Sequence, residues 1–178
     1  LSRARGLPRS SWGTAFAHAG LGIALIGIVC ESTWNAEKIA TMRPGDIAQV
    51  GAYSARLDNI SQQQGPNFRE QVARFTVTQG GDMVGVMTPS KRNFTARGSS
   101  TTEAALLTRG ASQVYISLGE SNADGAIAVR VYYKPLVLLI WFGPVMMAFG
   151  GLLSLSDRRL RVGAPKPAKA SRILQPAE

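Results

Sequence analysis

Trp12 to Cys30 reads WGTAFAHAGLGIALIGIVC, a run of 19 residues without formal charge, and the only histidine of the chain, His18, stands inside it. As an α-helix this stretch is roughly 28 Å long, enough to cross the hydrocarbon of a bilayer. Leu136 to Leu155 is a second uncharged run, roughly 30 Å as a helix. The mean hydropathy of +0.02 over 178 residues therefore averages two unlike populations, two apolar spans and a polar remainder.

Charge assigns sides to the spans. Arg3, Arg5 and Arg9 precede the first, and Arg158, Arg159, Arg161, Lys166, Lys169 and Arg172 follow the second, with only Asp157 and Glu178 to oppose them. Residues 31–134 carry 11 basic and 9 acidic side chains, so most of the net +9 flanks the membrane. The positive-inside rule then predicts cytoplasmic residues 1–11 and 157–178, spans at 12–30 and 135–156, and residues 31–134 across the membrane. This distribution removes the support for nucleic-acid binding that a high isoelectric point suggests. A secretory signal fits poorly, because Val29-Cys30-Glu31 has no small-x-small cleavage site, and a retained helix is expected. Cys30 is the sole cysteine and has no partner for an intramolecular disulfide. The chain begins with Leu1, so it is expected to be part of a longer protein.

Between the spans the periodicity changes to two. RFTVT (Arg74 to Thr78) and MVGVM (Met83 to Met87) flank Gln79-Gly80-Gly81-Asp82, a hairpin signal, since glycine accepts the positive φ of a tight turn. QVYISL (Gln113 to Leu118) and AIAVRVYY (Ala126 to Tyr133) flank GESNADG as a second hairpin, and Ile47 to Val50 and Tyr53 to Ile60 add two more strands. About six strands predict an antiparallel barrel or sandwich. The capping-box spacing Ser100-Thr101-Thr102-Glu103 predicts a short helix over 104–107, with Glu103 a cap rather than a catalyst. Lys91, Arg92 and Arg97 around Phe94 read as a solvated strand edge, or as a contact for an anionic partner. Tyr132-Tyr133-Lys134-Pro135 suits the water interface, with Pro135 in the first turn of the second span. The tail after Arg161 is expected to be disordered.

Within the first span, Gly13, Ala17, Gly20, Ala24 and Gly27 form one stripe of small residues that lets another helix approach closely. His18 lies roughly 140° around from that stripe, with Thr14, Gly22 and Leu25. In the second span Pro144 lacks the amide that would bond the Ile140 carbonyl, and with Gly143, Gly150 and Gly151 it predicts a kink and close packing, while Met146 and Met147 read as packing side chains. An ionisable residue inside a span marks a site. From the residues alone, His18 is open to four roles: a helix-helix hydrogen bond, proton relay, quinone binding or haem ligation.

The succession MRPGD, GPNF, KRNF, TTEAA, VYISLGE, AVRVYYKP and WFGPVMMAFGGLLSLSDRR, after WGTAFAHAGLGIALIGI, resembles the C-terminal part of the CcmF family over nearly the whole chain. That family supplies the membrane subunit of the bacterial cytochrome c haem lyase. The resemblance implies a multi-pass protein of the bacterial inner membrane with a periplasmic central domain. It also implies a reaction in which haem passes from the chaperone CcmE to the CxxCH motifs of apocytochrome c, with CcmH and related thiol-handling subunits as partners. It gives His18 the role of an axial ligand to the iron of a resident haem b, and it implies no catalytic side chain in this chain. The family's two periplasmic haem-binding histidines, its tryptophan-rich segment and its other transmembrane histidine have no counterparts here, so this chain alone is not expected to complete the haem site or the ligation. Ser112-Gln113 and Leu136 to Leu139 also depart from the family pattern. Two rival readings are a membrane-anchored β module that only docks partners, and a small quinone-linked cytochrome subunit.

Overall fold

The computed structural model describes residues 7–157 apart from 97 and 123. Among the described residues, two helices and ten strands follow one another. They are α1 (Arg9–Trp34), β1 (Ala36–Met42), β2 (Ile47–Val50), β3 (Tyr53–Gln64), β4 (Phe68–Gln79), β5 (Asp82–Met87), β6 (Ser90–Phe94), β7 (Ser99–Glu103), β8 (Ala105–Arg109), β9 (Ser112–Ser121), β10 (Ile127–Lys134) and α2 (Leu138–Leu155). The strands form two antiparallel sheets, a four-stranded one in the order β1-β10-β9-β8 and a six-stranded one in the order β2-β3-β4-β6-β7, with β5 also on β4. The expected choice of barrel or sandwich thus resolves as a sandwich.

Alternation accounts for the core. Ala55, Leu57, Ala73, Phe75 and Val77 project from one sheet, and Val114, Ile116, Leu118, Ile127, Val129 and Val131 from the other, all buried. Burying one face of each sheet is what stabilises the pair of layers. The Gln79-Gly80-Gly81-Asp82 hairpin forms with Gln79 opposite Asp82 and both glycines at positive φ. In β3 the register shifts between Leu57 and Asn59, and Asp58 at the bulge accepts hydrogen bonds from Arg56 Nε (3.0 Å) and Thr76 Oγ1 (2.6 Å). These bonds hold the Asp58 carboxyl below its usual range, the Thr76 hydroxyl contributing most.

Three local expectations are corrected. No helix forms over 104–107. Ser99–Glu103 pairs with β6 and Ala105–Arg109 pairs with β9, so the chain crosses from one sheet to the other at Ala104. A four-residue helix fixes many dihedrals for few hydrogen bonds, whereas both flanks here complete ladders, and Glu103 is engaged by Arg92 instead of capping. Lys91 and Arg92 are not on an edge, because β6 lies between β4 and β7. Arg92 Nε is 2.8 Å from Glu70 Oε2, its Nη1 pairs with Glu103, and Lys91 pairs with Glu120, which leaves these two cations already neutralised. Arg97 lies outside the described residues. Finally, Pro135 precedes α2 in a turn rather than sitting in its first turn. Leu136 takes φ 51° there, its N–H bonds to Ser112 Oγ (3.1 Å), and the Leu138 N–H bonds to the Ala111 carbonyl (3.1 Å).

α1 and α2 are long and apolar enough to cross a membrane. α2 runs unbroken through Pro144. The expected disorder after Arg161 falls outside the described residues.

Candidate functional site

The geometry around His18 begins with the seam between the helices. Gly13, Gly20, Ala24, Gly27 and Cys30 are the buried residues of α1, and Gly143 and Gly150 those of α2. A Cβ placed on Gly20 would stand 2.6 Å from the Gly143 carbonyl oxygen, and one on Gly27 would stand 2.8 Å from the Ile140 nitrogen. Backbone therefore meets backbone along the seam, the arrangement that small residues permit in apolar surroundings. The helix that covers the small stripe is the chain's own second span. Met147 lies in this seam beside Gly20, as a packing residue.

Because α2 occupies that side, His18 is left on the opposite, exposed side of α1, with exposed Leu21 and Leu25 nearby. Its Nδ1 lies 2.8 Å from the Thr14 carbonyl oxygen. A carbonyl oxygen carries no proton, so Nδ1–H donates; in the neutral ring this leaves the Nε2 lone pair pointing away from the backbone. Metal-binding histidines characteristically fix their second nitrogen by such a bond. Gly22, one turn further on, has nothing within 4 Å of where a Cβ would stand, so there is open space beside the ring for a flat ligand. The residues present fit one axial ligand to haem iron. Among the described residues no group of three or more His, Cys, Asp or Glu is placed to hold a metal ion.

Sequence reasoning missed the N-terminal closure of α1. Its N-cap position, Pro8, offers no side-chain cap, and the Ser10 N–H bonds to Asp157 Oδ2 (3.1 Å) from beyond the end of α2. Asp157 looks like a flanking charge in the sequence, yet it is buried. Its signal was an acid standing directly before the run of basic residues after α2. At the other end, Lys134 Nζ lies 5.7 Å from the Tyr115 ring and 5.8 Å from the Tyr132 ring. The Tyr132 hydroxyl bonds to Glu37, which pushes its pKa up.

Fold and site together define a class: a β-sandwich carried by a tightly packed antiparallel pair of apolar helices, with one ionisable ring facing outward from a span. Residues 33–135, more than half of the chain, match the family described as CcmF C-terminal beta-sandwich, and the chain belongs to that family. It is 72% identical over its whole length to the cytochrome c-type biogenesis protein CycK of Bradyrhizobium diazoefficiens, covering 27% of that protein. It is 39% identical over 162 residues to the cytochrome c-type biogenesis protein CcmF of Pseudomonas aeruginosa, covering 91% of this chain and 25% of the relative. The chain thus spans about a quarter of the length of the curated relatives it matches. Among solved structures it is similar to Cytochrome c Heme Lyase CcmF, with TM-score 0.70, 15% identity and coverage of 84% of this chain and 25% of that one, a likeness of fold.

Proposed function

We propose that this chain is part of a cytochrome c haem lyase, in which His18 Nε2 is an axial ligand to a haem b inside the membrane. The observation that carries the reading is the His18 Nδ1–H bond to the Thr14 carbonyl, which commits one ring nitrogen and leaves the other directed outward from a helix face that α2 does not cover. Thr14 holds the ring through its backbone, and the open side at Gly22 admits the macrocycle. Bound haem b supplies a one-electron couple that can keep the delivered haem reduced. The second ligand comes from outside this chain, whose only histidine is His18.

The reading extends to the reaction: haem taken from the chaperone CcmE is attached to the CxxCH cysteines of apocytochrome c, with CcmH among the partners. The charge pattern supports a bacterial inner-membrane protein with its basic flanks in the cytoplasm and the sandwich in the periplasm.

The test is the reduced-minus-oxidised haem b spectrum of the full-length protein, comparing native, His18→Ala, and His18→Gly with added imidazole. Loss in the alanine variant at normal protein levels, with recovery in imidazole, is expected. An unchanged spectrum would return His18 to helix packing and favour the partner-docking β module.

A further inference from the structure

Two residues mark the level at which the spans give way to the sandwich. The uncharged run of α1 ends at Cys30, and Trp34, the last residue of that helix, is 64% exposed. Lys134 ends β10 two residues before the second uncharged run, and its Nζ lies 5.7 Å and 5.8 Å from the rings of Tyr115 and Tyr132. Its stem is therefore folded back up the sheet, away from α2. A lysine at the edge of hydrocarbon carries its ammonium toward water in this way, and an exposed tryptophan suits the same depth. Ala36 stands opposite Tyr133, which brings Trp34 and Lys134 to one level.

The turn between β8 and β9 reaches past that level. Gln113 of β9 is opposite Lys134, and beyond it come Ser112, opposite Arg109, and then Ala111 and Gly110. Two residues of strand are about 7 Å long, and the headgroup layer on one side of a bilayer is about 5–7 Å thick, so the turn crosses that layer. Its depth is fixed by the bonds already described, Leu136 N–H to Ser112 Oγ and Leu138 N–H to the Ala111 carbonyl, since Leu138 opens α2. The turns Gly51-Ala52 and Gly80-Gly81 face the same end but stop short. Tyr53, which packs on Tyr133 with ring centroids 5.6 Å apart, is opposite both Val50 and Gln79. Neither of those turns carries a cation, whereas Arg109 is exposed, and among the described residues no ion pair joins it to an acid.

We propose that the β8–β9 turn is a phospholipid headgroup site in which the Arg109 guanidinium holds the lipid phosphate. A guanidinium presents a planar fork of donors that matches two phosphate oxygens, and phosphates are the anions that stand at this depth. At Gly110 nothing lies within 4 Å of where a Cβ would stand, so a headgroup can lie against the main chain of the turn. Through Ala111 and Ser112 the bound lipid ties the start of α2 to one leaflet. The proposal rests on the reading of α1 and α2 as membrane spans, and not on the haem ligand.

The experiment places a photoreactive benzophenone amino acid at the exposed position of Thr108 in the full-length protein, held in nanodiscs of phosphatidylethanolamine and phosphatidylglycerol. Ultraviolet light is expected to add the mass of a phospholipid to the peptide that contains residue 108. Arg109→Gln should lower that adduct about fivefold, the weight of one cation at a membrane surface. Arg130→Gln should leave it unchanged, because Arg130 is exposed but stands opposite Ser117, five residues up β9 from Ser112. Neither arginine variant removes the bonds at Ala111 and Ser112, and both should melt with the native protein. A crosslink to protein in place of lipid, no adduct, or an equal adduct in Arg109→Gln would overturn the site. The spans are read separately in spheroplasts with an impermeant thiol reagent, which should label Ala52→Cys from outside and Ser156→Cys only after lysis. Labelling of both from one side would remove the span reading and the site with it, whereas the expected labelling without a lipid adduct would sink the site alone.

Discussion

Replacing Gly20 by alanine should separate α1 from α2, whereas the same change two residues on, at Gly22, should not. The added methyl at position 20 would lie 2.6 Å from the Gly143 oxygen, 2.8 Å from Met147 Cγ and 2.9 Å from the Met147 nitrogen, where ordinary contact begins near 3.4 Å. Two of those three atoms are backbone and cannot swing aside, so the helices must part by several tenths of an ångström. That movement also loosens the contacts at Gly13 and Gly27. At Gly22 nothing lies within 4 Å. Both changes gain the same helix propensity, up to about 1 kcal/mol, so the difference between them isolates the strain, about 1–3 kcal/mol by analogy with overpacked cores. At roughly 2–4 °C per kcal/mol for a chain of this size, the two variants should melt about 2–12 °C apart. Tryptophan fluorescence in detergent reads the helix pair selectively, because Trp12, Trp34 and Trp141 all lie in α1 or α2. Coincident melting of Gly20→Ala and Gly22→Ala would refute backbone contact along the seam.

The other predictions concern caps and protons. Asp157→Ala should lower the same melting transition by about 0.5–2 kcal/mol, the ordinary cost of an uncapped helix N-terminus, and Asp157→Asn should cost less because an amide oxygen still accepts from Ser10. Asp58 has a lowered folded-state pKa, so its contribution is present above the unfolded value of about 4 and is lost as pH falls through the folded value. Thr76→Val, which removes the leading cause of that shift, should raise the Asp58 midpoint in a carbon-13 carboxyl titration, and an unmoved midpoint would contradict the assignment. Tyr132 shifts the other way: its contribution is full below about pH 10 and fades as pH rises through the raised value. Glu37→Gln should bring phenolate absorbance in at lower pH.

How much of this was legible depended on the range of the interaction. Strand pairs closed by glycine turns, such as Arg74 to Met87, are local and appear as period-two alternation around a turn. The small stripe of α1 was equally readable, since a face free of side-chain bulk has few uses besides a close neighbour. What escaped was set by distant partners. Ser100 to Leu107 carries a helix-cap spacing, and only the ladders with β6 and β9 make it two strands. Lys91 and Arg92 look free until Glu70, Glu103 and Glu120 arrive from other strands. His18 was visible because histidine is out of place among apolar residues. That its Nδ1 is committed to Thr14 follows from the helix, since i and i−4 stack along one face.

The connections between the layers decide how the two ends of the molecule relate. α1 passes into β1 through Asn35 alone, and β10 passes into α2 through a turn pinned by Ser112 and Ala111. β1 and β10 are neighbours in one sheet, with Ala36 opposite Tyr133, so the helices leave adjacent strands already side by side. The two helices therefore start from neighbouring strands, and the helix pair is held to the sandwich at two points. β7 lies at the far end, because β9 runs from Ser112 beside the helices to Ser121, which bonds Gln71 (2.6 Å), and Phe68, Phe94 and Ser99 lie beyond Gln71 in register. His18 is 16 residues back along α1 from Trp34, about 24 Å into the helix. No local contact can couple a strand edge to a ring at that remove. A change at β7 should leave the His18 ring untouched, and a change at His18 should leave the edge intact.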